Sequence, residues 1–504
     1  MFLEQKYNIN ELIKLSKAGE RKAQELLYKQ FASKMLAVCA RYATDRMEAE
    51  DMLQNGFIRV FQKIGDFRDE GSFEGWVRRI MVHCSIEYYR KHHKMMQAVD
   101  MDEADEPSVD PMAMANLYGY GKLAWNPDDP LEKIIDTWTR LTWGNDPQVV
   151  RTIDAMQLQS WHVYESYTGP NGMGTLTNIL GYHFGPGIES AERNGWGQWF
   201  RGEKDGIGMD RTVATGTGYI GQYPKELAEK YESLTTCPDD LLLFFHHVPY
   251  DYKLHSGKTL VQSIYDSHYE GALAAAEYVP QWESLKSKID PERYEKTHAL
   301  FEYQAGHAIV WRDAINNWFH RISGIDDAQG RVGHHSNRIE AESMKTGGYQ
   351  TVEVTPWETS SDGKAVECHE AKGCTLTITL EKPAGTYDLA VQYFDIWRGV
   401  STYTLSVNGA AIATWKSDDT LPPAQPDPHL DGQTSTRRTI RHVALKPGDV
   451  LELRGVPDLR LELFHGAQAA GLMGAQGLRM QPNLQEYAPV DYIEIGPDGP
   501  ITPQ

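Results

Sequence analysis

The chain has 504 residues, of which 41% are hydrophobic and 24% charged, and its formal net charge is −20. This length allows two to four domains with separate cores. The sequence contains no run of about 18 apolar residues, which argues against a membrane-spanning helix. Charged residues begin at Glu4, where a signal peptide needs apolar ones, so we expect a cytoplasmic protein with no membrane partner.

The charges are unevenly distributed along the chain. Residues 1–98 contain 17 Lys and Arg against 13 Asp and Glu, so the acidic excess lies in the remainder. This distribution argues against nucleic-acid binding for most of the chain and leaves it open for the head. The five cysteines fit no zinc-binding spacing, and we expect most to be buried thiols. Cys368 and Cys374 are close enough in sequence to pair under oxidising conditions.

The first 98 residues have helical periodicity almost throughout. Between residues 45 and 64 apolar side chains recur at three- and four-residue steps and form one face. Ser72 is a suitable N-cap for a helix in which Trp76, Ile80 and Cys84 follow at four-residue steps. Residues 1–98 are therefore predicted to be an all-α domain, and the acidic, proline-containing residues 99–111 a linker.

Three segments of this head, residues 43–54 (ATDRMEAEDMLQ), 56–65 (GFIRVFQKIG) and 71–94 (GSFEGWVRRIMVHCSIEYYRKHHK), resemble region 2 of sigma-70 factors of the extracytoplasmic-function type. The resemblance implies binding to core RNA polymerase and to −10 promoter DNA. Polymerase docking would then involve Asp51, Gln54, Phe57 and Phe61. Aromatic side chains beside basic ones suit unstacked bases and a phosphate track. The implied DNA-binding residues are Phe67, Phe73, Trp76, Arg78, Arg79, His83, Tyr89, Arg90 and Lys91.

Two features leave the role of this head open. The aromatic residues, including Phe57, Phe61 and Trp76, are also explained as core, with the charges on a solvated face. His83 stands where the family often has Asn, which leaves the preference for −10 bases undetermined. The −35-reading region 4 of the family has no counterpart after the linker, where a different kind of sequence begins.

Residues 112–325 are again mostly helical, but they contain long loops rich in Gly, Pro, His and Asn. Six segments resemble the C-terminal helical region of glycoside hydrolase family 67, the xylan α-1,2-glucuronidases: NLYGYGKLAWNPD (116–128), GYHFGPG (181–187), GIGMDRT (206–212), CPDDLLLFFHHVPYD (237–251), SGKTL (256–260) and IDPER (289–293). In that family the catalytic carboxylates stand on a preceding (β/α)8 barrel. Residues 1–111 are too few for a barrel of ~200–250 residues, so the resemblance implies that this sequence has no catalytic residue.

Local carboxylates have structural explanations. We interpret Asp239 as a helix cap and Asp210 as the partner of Arg211 in a buried ion pair. His183, His246 and His247 lack a diagnostic metal-binding spacing. Aromatic faces stack on sugar rings, and the candidates for the rim of a sugar cleft are Trp125, His183, Phe184, Trp196 and Trp199.

From residue 338 the hydrophobic period changes to two, as in residues 375–380, 387–394 and 403–407. Asn408-Gly409 is a hairpin signal between two such runs. Residues 336–504 are therefore predicted to form an all-β sandwich. Residues 459–486 have a helix-like Gly, Ala and Leu pattern that does not suit a sandwich, and only an insertion or an altered reading frame accounts for it.

The ends of this tail, residues 338–344 (RIEAESM) and 490–495 (VDYIEI), resemble those of carbohydrate-binding jelly-roll modules of families 6 and 35. The resemblance implies a structural Ca²⁺ held by Glu340, Glu342 and Asp491, since carboxylates are the ligands Ca²⁺ prefers. A solvated pair of glutamates is the alternative. The candidates for contact with a glucuronoxylan-type oligosaccharide are Tyr393, Trp397, Arg398 and Trp415, each of which is also explained as core.

Three hypotheses for function follow. The first is a hybrid without hydrolase activity that combines promoter engagement with sugar binding. The second is an α-glucuronidase subunit that needs a catalytic barrel in trans, and the third is a sugar-responsive sigma-type initiation factor. A fusion made in cloning, in gene prediction or by construction explains the abrupt change near residues 109–113 more simply than the third does.

Overall fold

The computed structural model describes residues 8–40, 46–67, 72–92, 112–173, 185–188, 202–396, 399–418, 429–463 and 483–497. These residues form two compact units, one within residues 1–109 and one within residues 110–504. The second unit contains both the helical middle and the β tail.

The first unit is helical. Its helices are α1 (Ile9–Lys17), α2 (Arg21–Cys39), α3 (Arg46–Lys63) and α4 (Phe73–His92). As expected, α4 begins directly after Ser72, whose Oγ accepts a hydrogen bond from Gly75 N at 3.3 Å. The apolar faces meet in one core, which includes Leu27, Phe31, Met35, Met52, Val60, Val77 and Met81.

Helices also dominate the first half of the second unit. They are α5 (Met114–Trp125), α6 (Leu131–Trp143), α7 (Pro147–Thr168), α8 (Lys225–Glu232), α9 (Leu242–Phe245), α10 (Leu260–Glu283) and α11 (Pro291–Ser323). α7 and α11 each begin with Pro after an Asp whose side chain accepts from backbone N–H groups of the first turn. At the centre Trp282 is fully buried, and its Nε1 donates to the Tyr294 carbonyl at 3.1 Å.

A short hairpin, β1 (Gly202–Glu203) with β2 (Gly206–Ile207), lies among these helices. The tail consists of β3 (Arg338–Glu340), β4 (Lys345–Gly347), β5 (Gln350–Glu353), β6 (Lys364–Glu367), β7 (Cys374–Thr379), β8 (Gly385–Phe394), β9 (Thr402–Val407), β10 (Ala410–Lys416), β11 (Ser435–Leu445), β12 (Val450–Val456), β13 (Asp458–Leu463), β14 (Asn483–Glu486) and β15 (Val490–Pro497). One sheet has the order β10-β9-β12-β7-β4, and the other has the order β11-β8-β15-β6-β5, with β3 also paired to β15.

The two sheets share one core, to which Leu376, Leu405 and Leu453 contribute from the first sheet and Leu389, Val391 and Ile493 from the second. The helical head, the helical middle and the β-rich tail confirm the coarse fold class predicted from the sequence.

The expected hairpin is present between β9 and β10, where Asn408 and Gly409 both have positive φ, 51° and 79°. The unexplained segment 459–486 begins and ends in a strand, because β13 and β14 pair antiparallel. Its central residues lie outside the described ranges.

The structure pairs Cys368 and Cys374 in a disulfide, which the sequence left open. Cys39, Cys84 and Cys237 are buried, as expected. None of the helices in the described ranges is both long and apolar enough to cross a membrane.

Candidate functional site

The aromatic residues proposed to bind DNA mostly lie inside the head. Phe67 and Phe73 are buried, and their ring centroids are 5.1 Å apart. Trp76 is half-buried and stacks on Phe73 at 5.7 Å. For these three residues the geometry therefore favours the core alternative, because little of the buried rings is free to stack on a base. The side chains of His83, Tyr89, Arg90 and Lys91 lie outside the described residues.

Arg78 and Arg79 are the DNA-binding candidates that the structure places at the surface. Arg78 Nη2 is 3.7 Å from Glu74 Oε1, a long and exposed pairing that stabilises little and leaves the guanidinium available. Among the polymerase-binding candidates, Gln54 is exposed, Phe61 is half-buried and Phe57 is buried against Tyr28. The side chain of Asp51 is outside the described residues.

The two carboxylates of the helical middle that the sequence suggested, Asp210 and Asp239, are both hydrogen-bonded. Asp239 does not cap a helix, because its Oδ1 is 2.7 Å from His255 Nδ1 instead. The described contacts of Asp210 are with its sequence neighbours. Its carboxylate accepts from the hydroxyls of Thr212 and Thr215, both at 2.7 Å. Burial opposes the charge of Asp210, but these hydrogen bonds hold its pKa below the usual value.

Arg211 contacts Phe244 through both its hydrogen-bonding group and its flat face. Its Nη1 donates to the Phe244 carbonyl, and its guanidinium lies 4.2 Å from the centroid of the Phe244 ring. The expected cap at Asp239 was wrong because its partner, His255, lies 16 residues further along the chain.

His246 and His247 bond to different backbone carbonyl groups. His246 Nε2 bonds to the Tyr231 carbonyl at 2.7 Å, and His247 Nδ1 bonds to the Gly208 carbonyl at 2.9 Å. His247 instead lies near the carboxylates of Glu203 and Asp205. A second group of possible ligands, Glu283, His298 and Glu302, is occupied by a cation of the protein itself, since Arg441 pairs with both glutamates.

Of the rim candidates, Trp125 is 92% exposed. His183, Phe184, Trp196 and Trp199 lie outside the described residues.

Two of the four sugar-binding candidates are in the core of the β tail. Tyr393 and Trp415 are buried, and both pack on Tyr403, with ring centroids 5.0 and 5.4 Å away. Covered rings cannot stack on a sugar, so the geometry favours the core alternative for both. Trp397 and Arg398 lie outside the described residues.

The three proposed calcium ligands lie at the junction of β3 and β15. Asp491 is fully buried, and its two carboxylate oxygens accept from Ser361 N at 3.1 Å. Ser361 Oγ donates to Glu340 Oε1 at 2.7 Å. The second oxygens of Glu340 and Glu342 are buried without a hydrogen-bond partner. Unpartnered carboxylate oxygens are ligands that suit the hard, oxygen-binding Ca²⁺. The three carboxylates do not, however, bring one oxygen each within 4.8 Å of one another in the described geometry.

The electrostatics of this carboxylate cluster also suit a cation. Burial raises the pKa of Glu340 to about 7. Burial also raises the pKa of Asp491 well above its usual value, and repulsion from Glu340 and Glu342 adds to the effect. Negative charges crowded together in a dry site favour either a proton or a bound cation.

Next to the cluster is a buried ion network that sequence reasoning missed. Arg338 of β3 donates to Asp313 of α11 at 2.6 Å, and its guanidinium lies 3.8 Å from the centroid of the Tyr492 ring. Arg312 pairs with Asp313 at 2.7 Å, and Arg437 pairs with Glu494 at 3.1 Å. The network thus joins the last helix of the middle to three strands of the tail.

The backbone of the helical middle also comes close to that of the β tail at this interface. A Cβ on Gly306 of α11 would lie 3.0 Å from Arg437 Cβ, and one on Gly185 would lie 2.0 Å from the Gly432 carbonyl oxygen. His307 Nε2 bonds to that carbonyl at 3.0 Å. The helical middle and the β tail are therefore closely fitted parts of one unit.

The chain thus consists of a helical head and of a second unit, which joins helices to a β-rich tail and contains this carboxylate cluster. Residues 27–95 match the family model of sigma-70 region 2, and residues 109–332 match that of the glycosyl hydrolase family 67 C-terminus. The chain thus combines two segments, each similar to part of a different family.

Curated relatives extend the second match. The α-glucuronidase A of Aspergillus tubingensis is 46% identical over 393 residues, which is 77% of this chain and 44% of that protein. The probable α-glucuronidase A of Aspergillus terreus is 51% identical over 350 residues, which is 69% of this chain and 42% of that protein. The 393 matched residues are more than the 332 residues that end with the matched family model, so the similarity continues into the β tail. This chain spans less than half the length of these relatives.

Solved structures resemble the chain only weakly. A family 35 carbohydrate binding module from Clostridium thermocellum has a TM-score of 0.21 and 13% identity, covering 31% of this chain and 96% of that module. The CBM36-1 domain of a multidomain xylanase from the hindgut metagenome of Trinervitermes trinervoides has a TM-score of 0.20 and 16% identity, covering 32% and 97%. No conclusion rests on scores this low.

Proposed function

We propose that this chain is a hybrid without hydrolase activity of its own, in which a sigma-like head binds core RNA polymerase and −10 promoter DNA and a glucuronidase-like unit binds glucuronoxylan-type sugar. The observation that carries the proposal is the succession of matches to sigma-70 region 2 and to the family 67 C-terminus in one chain. The sugar assignment draws on the names of the relatives and on the resemblance of the tail to jelly-roll modules.

The head supports the proposal through Arg78 and Arg79, whose exposed side chains are free to meet phosphates. We expect the full chain to bind core RNA polymerase and, weakly, single-stranded −10 DNA. Replacing both arginines with Ala should weaken DNA binding and flatten the dependence of log K on log salt by about 1.4, since each phosphate contact on a single strand contributes about 0.7.

The matched control replaces Lys22 and Lys29 of α2 with Ala, because both already pair with Glu25. This variant should keep the salt dependence of the wild type. A chain that retains no polymerase in a pull-down would contradict the role proposed for the head.

In the tail we propose that Glu340, Glu342 and Asp491 hold Ca²⁺, which would neutralise their mutual repulsion and connect β3 to β15. Calcium should raise the melting temperature of the second unit, because a ligand that binds only the folded state stabilises it, by about 2.7 kcal/mol at 100 times Kd. Tryptophan fluorescence reports this unit, since 12 of the 13 tryptophans follow residue 110.

Glu342→Gln should remove most of the gain, whereas Glu353→Gln, on the exposed end of β5, should leave it intact. If chelator leaves the wild-type melting curve unchanged, or if Glu342→Gln keeps the full shift, the metal proposal fails.

A second candidate function is an α-glucuronidase subunit that works with an N-terminal part supplied in trans. The relatives named above carry more than half of their length outside the matched region. An apolar helix surface at the start of the matched segment favours this candidate.

A further inference from the structure

α5 is apolar on both sides, yet none of its residues is buried. Its sequence, MANLYGYGKLAW, has Lys122 as its single charge. A helix that is apolar all round is normally covered on all sides. Among the described residues, α5 is covered on one side only.

The inner side of α5 faces the unit. Ala115 and Tyr118 pack against the main core, and Gly119 lies over Ile134 of α6. Leu117 and Tyr120 point the opposite way at helical spacing and are 54% and 75% exposed.

Trp125, at the C-terminal end of α5, is 92% exposed. Aromatic residues of this size are the usual anchors of protein interfaces.

α7 also carries exposed apolar residues close to the start of α5. Gln157 Nε2 of α7 donates to the Met112 carbonyl at 3.2 Å, which holds the start of α5 beside α7. Leu158, the residue after Gln157, is 41% exposed. Trp161, one turn beyond Gln157, is 73% exposed. We call Leu117, Tyr120, Trp125, Leu158 and Trp161 the α5–α7 face.

The relatives extend well beyond the matched region. The matched model describes a C-terminus and begins at residue 109, a few residues before α5. The relatives are matched over only 42–44% of their length. In the relatives, the residues that precede the matched region therefore connect to the segment that corresponds to α5, next to the exposed surface.

We propose that the α5–α7 face is the docking surface for the N-terminal part of an α-glucuronidase relative, bound here as a separate chain. The proposal rests on the second candidate function and names the partner and the surface it uses. Burial of the two tryptophans and Tyr120 would supply the apolar centre of the interface.

The test is co-expression of the full chain with the part of Aspergillus tubingensis α-glucuronidase A that precedes the matched segment. Size-exclusion chromatography with light scattering should show a 1:1 complex. The double variant Tyr120→Ser with Trp125→Ser should bind at least about 30-fold more weakly, the loss typical of one interface hot spot. Ile412→Ser, which changes an exposed apolar residue of the β tail, should bind like the wild type.

Because both altered residues are exposed, the double variant should keep the wild-type melting temperature. A partner that stays insoluble beside the wild-type chain, or that binds the double variant equally well, overturns the proposal. A wild-type homodimer that the double variant dissociates also overturns it, since the face would then serve self-association. A complex that forms but does not hydrolyse aldouronic acids keeps the docking surface and rejects the subunit function.

Discussion

Asp313→Asn is expected to lower the unfolding free energy of the second unit by about 3–5 kcal/mol, the usual cost of breaking a buried ion pair. Asp313 joins Arg312 to Arg338, and Glu494 joins Arg338 to Arg437. Without the Asp313 charge, three guanidinium groups face one carboxylate in a buried interface. Urea unfolding followed by tryptophan fluorescence measures the change, since Trp311 is buried on the same helix.

The matched control is Asp136→Asn, which breaks an exposed pair with Arg140 one turn away on α6. Its cost should stay below about 0.5 kcal/mol, as for other exposed helix pairs. The second single variant, Arg338→Met, and the double variant complete a cycle that gives the coupling energy. Additive effects of the two changes would contradict a direct interaction between Asp313 and Arg338.

The same network predicts the response to acid. Burial alone would raise the pKa of Asp313 and Glu494, but the arginines hold Asp313 well below its usual range and Glu494 at about 2. Depressed carboxylate pKa values contribute stability above the unfolded values, near 4, and lose it as pH falls toward 2. The wild type should therefore lose more stability across that range than Asp313→Asn does.

The second large effect expected is the absence of glucuronic acid release by the chain alone. Hydrolysis with inversion needs a proton donor and a water-activating base about 6.5–9.5 Å apart. Each such group contributes about 10²–10⁴-fold, so we expect a rate at least about 10⁴-fold below that of a full-length relative. Asp210 and Asp239, the carboxylates suggested by the sequence, are held by hydroxyls and by His255. Sugar binding without stabilisation of the transition state would not change this.

The periodicity of the sequence predicted those helices and strands that have one buried side. α4 is an example: Ser72 precedes its start as predicted, and of the predicted stripe Cys84 is buried while Trp76 and Ile80 pack partly buried against the core, beside the more deeply buried Val77 and Met81. The Asn408-Gly409 turn was predictable because positive φ at two successive residues restricts the choice of residue. Such signals lie within a few residues of one another.

The interface between the helical middle and the β tail was not predictable in this way. Arg312 and Glu494 are far apart in sequence, and Arg338 lies within the segment from which only the two glutamates were selected. The same interface covers the outer side of the sheet that contains β8, whose last six residues are all buried. Alternation therefore could not tell whether Tyr393 faces solvent or the core, and aromatic character alone suggested a sugar contact.

We propose that the glucuronidase-like unit of this chain is catalytically incomplete. The most direct measurement is release of glucuronic acid from aldouronic acids at high protein concentration and long incubation, with Aspergillus tubingensis α-glucuronidase A as the positive control. We expect no release above the protein-free rate from the wild-type chain alone. Release by the chain alone, retained after purification to constant specific activity, would contradict it.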